Sequence, residues 1–369
     1  MNFVSSDILI FSCSSSFCVY ISKNGIFSWG FNNYGQLGIG NEIRQFSPQP
    51  ILFFKNPEDI ISISCGFTHC ICMCKNGVFS WGKNDYGQLG IGNHTNQSSP
   101  QQISFFKNPE DIISLSCGGS FSICICKNGV FSWGDNDCGQ LGIGNEIDQS
   151  SPQHILFFKN PEEIISLSCG FNFCICICTN GVFSWGGNGF GQLGIGNEID
   201  QSSPRQIDFF KYPEEIISLC CGAFFCICVC KCGVYSWGFN YSGQLGLENS
   251  INHSYPQQIT FFKNPEEIIS LSCGSNFCIC VCKNGLVGWG CNDSQPDLDP
   301  QKNIPRHLLT EKTVESFYNL SFPKYSMNRN TTIKKYSLIL AKEWLGSNEF
   351  LLRKNRSSMN PFEILFHFF

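Results

Sequence analysis

Residues 162–210 read EEIISLSCGFNFCICICTNGVFSWGGNGFGQLGIGNEIDQSSPRQIDFF, and this stretch decides the fold. Ile164 to Cys169 is a β-rich run stopped by Gly170 and predicts a strand. From Phe173 to Cys178, three cysteines alternate with Ile175 and Ile177, so one strand face carries thiols, the other carries branched aliphatics, and both read as buried. Asn180-Gly181 then predicts a two-residue hairpin of type I′, both of whose central residues want positive φ. Val182 to Trp185 is the next strand. In Gly191-Gln192-Leu193-Gly194 the glycines allow close backbone approach, the leucine is expected to enter the core, and the glutamine amide to satisfy loop backbone groups. Just upstream, Asn160-Pro161-Glu162-Glu163 predicts a short helical turn linking neighbouring strands, with asparagine as its cap and carboxylates at its positive end.

The same unit recurs along the chain. Trp29, Trp81, Trp133, Trp185, Trp237 and Trp289 stand 52 residues apart, each followed by glycine. The loop glycines Gly35, Gly87, Gly139, Gly191 and Gly243 keep the same register, and Asn-Gly returns at Asn24, Asn76, Asn128 and Asn284, with Cys232-Gly233 as the variant. A period near fifty residues filled with short β-type runs predicts an all-β fold, a β-propeller of 52-residue repeats over residues 1–309. Six units are visible, which leaves six or seven blades open. The first unit starts at the strand before Asn24-Gly25 without an opening piece of its own. Ile304-Pro305-Arg306-His307-Leu308-Leu309 looks like a shortened Ser203-Pro204-Arg205-Gln206-Ile207 and is expected to pair with the N-terminal strands, removing the exposed edges.

Cys-Gly, the thiol strand, Asn-Gly, Trp-Gly and Gly-Gln-Leu-Gly together resemble the repeat of the regulator of chromosome condensation family. Five units match nearly throughout and the sixth in part. The resemblance implies a propeller, usually of seven blades, and the founding member's activity of guanine-nucleotide exchange on a Ran-like small GTPase. Two departures stand out. Family members commonly carry a histidine after Cys-Gly, and here only His69 does, Phe121, Phe173, Phe225 and Phe277 standing elsewhere; His69 reads as a core residue. After Trp289 the Gly-Gln-Leu-Gly loop is replaced by Cys291-Asn292-Asp293-Ser294-Gln295-Pro296. One branch of the family senses ultraviolet light through clustered tryptophans, but every propeller tryptophan here is the repeat-defining one, so that reading fails.

Charge is unevenly divided. Of 24 basic and 29 acidic residues, positions 301–369 hold 11 and 5, leaving 13 and 24 for positions 1–300. An acidic body repels phosphates and disfavours direct nucleic-acid binding. No stretch approaches the uninterrupted apolar length of a membrane helix, and the N-terminus lacks the pattern of a signal peptide, so the 25 cysteines read as reduced thiols in a cytoplasmic or nuclear protein. Runs such as Cys174-Cys176-Cys178 read as packing rather than metal ligands, because alternate residues of a strand lie roughly 6.5 to 7 Å apart and zinc thiolates usually come from Cys-x-x-Cys turns. No phosphate-binding loop and no Ser-His-Asp or Cys-His set is found, since the six histidines share no repeat position. No catalytic residue, cofactor or metal is therefore assigned, and the chain is read as not an enzyme.

Function is expected where units differ. Arg44, His94, Arg205 and Tyr255, with the paired carboxylates marked by Glu110, Glu162 and Glu214, form the candidate partner rim. The acidic sets Glu146-Ile147-Asp148 and Glu198-Ile199-Asp200 are expected to reinforce the same surface. Residues 310–369 form a basic, partly helical tail in which Ile333, Tyr336, Leu340 and Trp344 fall on a helical stripe. Tyr336 to Ala341 has a faint similarity to the helix of BTB domains, so the tail is a helical appendage, a degenerate blade or a BTB fragment, with the appendage favoured. The leading reading is a non-enzymatic protein–protein interaction scaffold. The rivals are the exchange factor for a Ran-like GTPase and, if the tail is BTB-like, a ubiquitin-ligase adaptor binding a cullin.

Overall fold

The computed structural model describes residues 8–290 and 304–310. Expectations for the loop after Trp289 and for the tail beyond Thr310 fall outside those residues. The chain is all-β, with six four-stranded antiparallel sheets of the propeller class among the described residues. The first holds β1 (Ile8–Cys13), β2 (Phe17–Ser22), β3 (Gly25–Gly30) and β4 (Gln45–Pro50). The second holds β5 (Ile60–Cys65), β6 (His69–Cys74), β7 (Gly77–Gly82) and β8 (Gln97–Gln102). The third holds β9 (Ile112–Cys117), β10 (Phe121–Cys126), β11 (Gly129–Gly134) and β12 (Gln149–His154). The fourth holds β13 (Ile164–Cys169), β14 (Phe173–Cys178), β15 (Gly181–Gly186) and β16 (Gln201–Gln206). The fifth holds β17 (Ile216–Cys221), β18 (Phe225–Cys230), β19 (Gly233–Gly238) and β20 (His253–Gln258). The sixth holds β21 (Ile268–Cys273), β22 (Phe277–Cys282), β23 (Gly285–Gly290) and β24 (Arg306–Thr310). Among the described residues no helix is long and apolar enough to cross a membrane.

Two expectations about the chain ends are corrected. The first sheet has its own opening strand, β1, paired along β2 from Ile8↔Ser22 to Cys13↔Cys18. Its sequence, ILIFSC, keeps the apolar rhythm but lacks the Pro-Glu-Asp or Pro-Glu-Glu turn that heralds the strand elsewhere, which hid it. Arg306–Thr310 does take the place of a fourth strand, but pairs with β23 in the sixth sheet, not with the N-terminal strands. Each of these two sheets is completed from its own end of the sequence.

Two compact units emerge. Of the described residues, one comprises 8–214 with 253–255, and the other 215–252, 256–290 and 304–310. In the first, Ile71 and Met73 of β6 pack against Cys124, Cys126 and Trp133 of the next sheet. Phe121, Ile123 and Ile125 of β10 likewise pack on Cys174, Cys176, Cys178 and Trp185. The second unit repeats the arrangement with Phe225, Ile227 and Val229 against Cys278, Cys280, Cys282 and Trp289. The alternation is thus explained: aliphatics of one sheet meet the thiol face of the next, where cysteine acts as a small hydrophobe. The thiols of alternate residues lie closer than the strand spacing suggests, because the side chains lean together: Sγ atoms of Cys124 and Cys126 lie 3.4 Å apart, and those of Cys72 and Cys74 lie 3.6 Å apart.

The hairpins are not type I′. Cys74 pairs with Gly77, so the central residues are Lys75 and Asn76, one position earlier than the Asn-Gly motif suggests. Among the described residues only Glu248 is a non-glycine with positive φ, so neither turn residue needs that conformation. The glycine instead opens the next strand at φ 155°, where a Cβ would stand 2.8 Å from the Gln102 amide nitrogen. Cys232 can therefore replace asparagine. The linking turns Pro57–Asp59, Pro109–Asp111 and Pro161–Glu163 are single 3-10 turns. Asn160 makes no side-chain cap bond; its Nδ2 donates to the Glu163 carboxylate at 2.9 Å, because three residues are too few to present the free amides of a longer helix.

Candidate docking face

Each sheet has two unlike ends. In the second sheet Cys65 pairs with Cys70 and His69 with Gly82, so the short loop 66–68 and the long loop 83–96 share one end. At the opposite end, Cys74 pairs with Ile60 and Gly77, which gathers the hairpin turn with the linking 3-10 turn. Lys75 confirms this grouping, its backbone amide donating to the Asp59 carbonyl at 2.9 Å and its ammonium lying 3.3 Å from the Asp59 carboxylate.

The long loops are held from within. Asn136, fully buried, accepts from the Leu141 amide at 2.9 Å through Oδ1, while its Nδ2 donates to the carbonyls of Asn145 and Ile147 at 2.9 and 3.1 Å. Asn84 and Asn188 make the same three bonds in their own loops. The Gln140 Oε1 accepts from the Cys138 amide, and Leu141 is buried, as the motif predicts. Trp185 Nε1 reaches across to donate to the Gln140 carbonyl at 3.0 Å, tying this loop to the following sheet's tryptophan, as Trp81 and Trp133 do with the Gln36 and Gln88 carbonyls. Gly139, at φ 74°, lies so near the next outer strand that a Cβ would stand 2.4 Å from Ser202 Cα. The buried asparagine three residues after each of the first five tryptophans is the organiser that the sequence reading missed; its recurrence at Asn32, Asn84, Asn136, Asn188 and Asn240 was the available signal.

With the loops fixed, their tips face water. In the first unit Ile43, Ile147 and Ile199 are 66%, 66% and 68% exposed. Phe67 and Phe171 from the short loops are also exposed and touch each other at 5.6 Å between ring centroids. Carboxylates stand among them. Asp135, Asp137 and Asp148 converge, and burial pushes the Asp135 and Asp148 carboxyls up, with neighbouring carboxylates adding to it. Asp85, Glu146, Glu198 and Asp200 are exposed or loop-borne on the same side of their sheets.

The candidate rim residues are divided among three places. Arg44 and His94 lie on long loops: the Arg44 guanidinium sits over Phe31 at 4.2 Å and Phe46 at 4.6 Å, and His94 Nδ1 donates to the Asp85 carbonyl at 3.0 Å. Arg205 and Tyr255 lie on outer strands, with Arg205 Nε donating to Gln201 and Tyr255 edge-on to Phe209. Glu110, Glu162 and Glu214 are exposed at the linking-turn end. The two acidic sets consequently do not reinforce one surface, because the outer strand carries the chain from one end of the sheet to the other between them.

This loop-and-strand unit has counterparts in known proteins. The model of the regulator of chromosome condensation (RCC1) repeat matches residues 23–73, 75–125, 127–177, 180–229 and 233–281. The chain belongs to the RCC1 repeat family. It is 29% identical to the ultraviolet-B receptor UVR8 of Arabidopsis thaliana over 77% of this chain and 65% of that protein. It is 26% identical to human protein RCC2 over 90% of this chain and 66% of that one. The chain thus spans about two thirds of the length of these relatives. Among solved structures, human WBSCR16 aligns with a TM-score of 0.67 at 24% identity, covering 84% of this chain and 83% of that one. Prp20p of Saccharomyces cerevisiae, described with its binding to Gsp1p and histones, gives 0.68 at 20% identity, covering 83% and 78%. At these identities the structures speak to the RCC1 fold alone. In this RCC1-family chain the indoles of Trp81, Trp133 and Trp185 are engaged by the repeat itself, each buried against Phe54, Phe106 or Phe158.

Proposed function

We propose that the protein is a non-enzymatic interaction scaffold, acting in the cytoplasm or nucleus, whose partner docks on the ends of the sheets formed by the short and long loops. The observation that carries the reading is the exposed isoleucine at Ile43, Ile147 and Ile199, repeated on loops that a buried asparagine makes rigid. Rigid loops lose little ordering entropy on binding, and isolated apolar tips ringed by carboxylates suit a partner with basic residues around apolar pockets. Fold alone does not name that partner.

The second reading is guanine-nucleotide exchange on a Ran-like small GTPase, carried by membership of the RCC1 family and by the fold shared with Prp20p. One experiment separates the two. Full-length protein and an Ile147→Asp/Ile199→Asp variant are used to capture partners with and without GTP, and nucleotide release from a Ran-like GTPase is followed beside them. A partner that ignores GTP and is lost with the variant supports the scaffold. Accelerated nucleotide release, with a complex dissolved by GTP, replaces it with exchange. Partners held equally by both proteins would refute docking on this end.

A further inference from the structure

Every sheet but the third sets a cysteine of its first strand opposite a cysteine of its second, five residues later. In the first sheet the pair Cys13–Cys18 is a disulfide, which corrects the expectation that all thiols are reduced. In the second, Cys65 and Cys70 are thiols with their Sγ atoms 3.1 Å apart; in the fourth, Cys169 and Cys174 are thiols at 3.2 Å. Cys221–Cys226 and Cys273–Cys278 stand wider, at 3.6 Å. The third sheet places Ser122 opposite Cys117, and that serine is engaged with His69 instead.

Directly opposed residues of an antiparallel pair have the Cα spacing that a disulfide spans, and the first sheet shows that this register position accepts one, at a Cα separation of 4.2 Å. We propose that Cys65–Cys70 and Cys169–Cys174 are dithiol modification sites, oxidised to cross-strand disulfides by a low-molecular-weight disulfide of the glutathione type. Cys65 and Cys169 are half-buried, whereas Cys70 and Cys174 are buried, so the first-strand cysteine attacks first. Burial also pushes the Cys70 thiol up, which keeps it protonated until the second step.

The electrons balance over two exchanges. Cys65 Sγ, as thiolate, attacks one sulfur of the small disulfide, breaking its S–S bond and releasing one reduced thiol that carries away a proton. Cys70 then gives its proton to solvent and attacks Cys65 Sγ, breaking the mixed disulfide and releasing the second small thiol. Two protein thiols are oxidised and one small disulfide is reduced. The new bond would pin the strands on either side of the short loops that carry Phe67 and Phe171.

The test is disulfide mapping of folded full-length protein equilibrated with oxidised glutathione, then alkylated, digested and analysed by mass spectrometry. The expected result is cross-linked peptides joining Cys65 to Cys70 and Cys169 to Cys174, formed before those of the wider pairs and reversed by dithiothreitol, with Cys117, which faces Ser122, in no cross-link. Cys70→Ser and Cys174→Ser, which copy the serine found naturally at Ser122, should instead arrest Cys65 and Cys169 as mixed disulfides with glutathione. Alkylation of all four cysteines after oxidation of the folded wild-type chain, or cross-links that appear only in denaturant, would overturn the proposal. The wild-type mapping decides the matter even if a serine variant fails to fold.

Discussion

His69 Nε2 lies 2.9 Å from Ser122 Oγ, and these residues are the two joint exceptions to the repeat. Phenylalanine occupies the place of His69 in the other five units, and cysteine the place of Ser122. Ser122 Oγ donates to the Gln88 carbonyl at 3.2 Å, so it accepts from His69 and the imidazole carries its proton on Nε2. Among the described residues the buried Nδ1 has no partner. Burial pushes the His69 pKa down to about 3.

That shift sets a pH dependence. The unfolded chain takes up a proton near pH 6.5 and the folded chain only near 3, so stability is complete above the unfolded value and falls as pH drops toward 3, by up to about 1.4 kcal/mol per pH unit. His69→Phe with Ser122→Cys restores the majority pattern and should remove that slope. Urea midpoints of both proteins, compared at about pH 7.5 and about pH 5, measure the difference; Asp135 and Asp148 titrate in both and cancel.

Asn136→Ala should cost roughly 2 to 3 kcal/mol, because it strands the buried Leu141 amide and releases the carbonyls of Asn145 and Ile147 that tie the loop down. The exposed His94→Ala should change stability by less than about 0.5 kcal/mol. Chemical denaturation of the two variants, with equal losses, would contradict the assignment of Asn136 as the loop's organiser.

Trp133→Ala should cost roughly 3 to 5 kcal/mol, since the indole is fully buried, packs on Phe106 and donates to the Gln88 carbonyl. Arg205→Ala, on an exposed outer strand, should leave the melting temperature within a degree or so. Calorimetry of both variants checks the division between structural and rim residues.

Two glycines distinguish close approach from mere flexibility. Gly139→Ala meets the Ser202 backbone and a positive φ, and should destabilise by more than about 2 kcal/mol. At Gly189, where a Cβ meets nothing within 4 Å, alanine should be neutral or stabilise by up to about 1 kcal/mol. Thermal melts that rank the variants the other way would refute the packing described for the loop.

The repeat was legible because its signals are local: alternating Cys and Ile for buried strands, glycine for tight approach, tryptophan at a fixed period. What escaped depended on partners distant in sequence. The opening strand β1 carries none of the repeat's punctuation, and only pairing with β2 reveals it. The hairpin was displaced by one residue because glycine served the neighbouring Gln102 contact rather than the turn. Strand direction decided the site: Glu162 and Glu146 look like members of one acidic rim until the outer strand between their loops is seen to carry the chain to the opposite end of the sheet. Cys174 reads as packing until register places it face to face with Cys169.

A partner that rests on the loop ends of the sheets leaves its footprint in the hydrogen–deuterium exchange of the full-length protein, compared free and bound to its captured partner. Added protection is expected in residues 135–148 and 187–200, around Ile147 and Ile199, with the linking turns near Glu110 and Glu162 unchanged. Protection confined to those linking turns, with the long loops exchanging as before, would contradict docking on the loop ends.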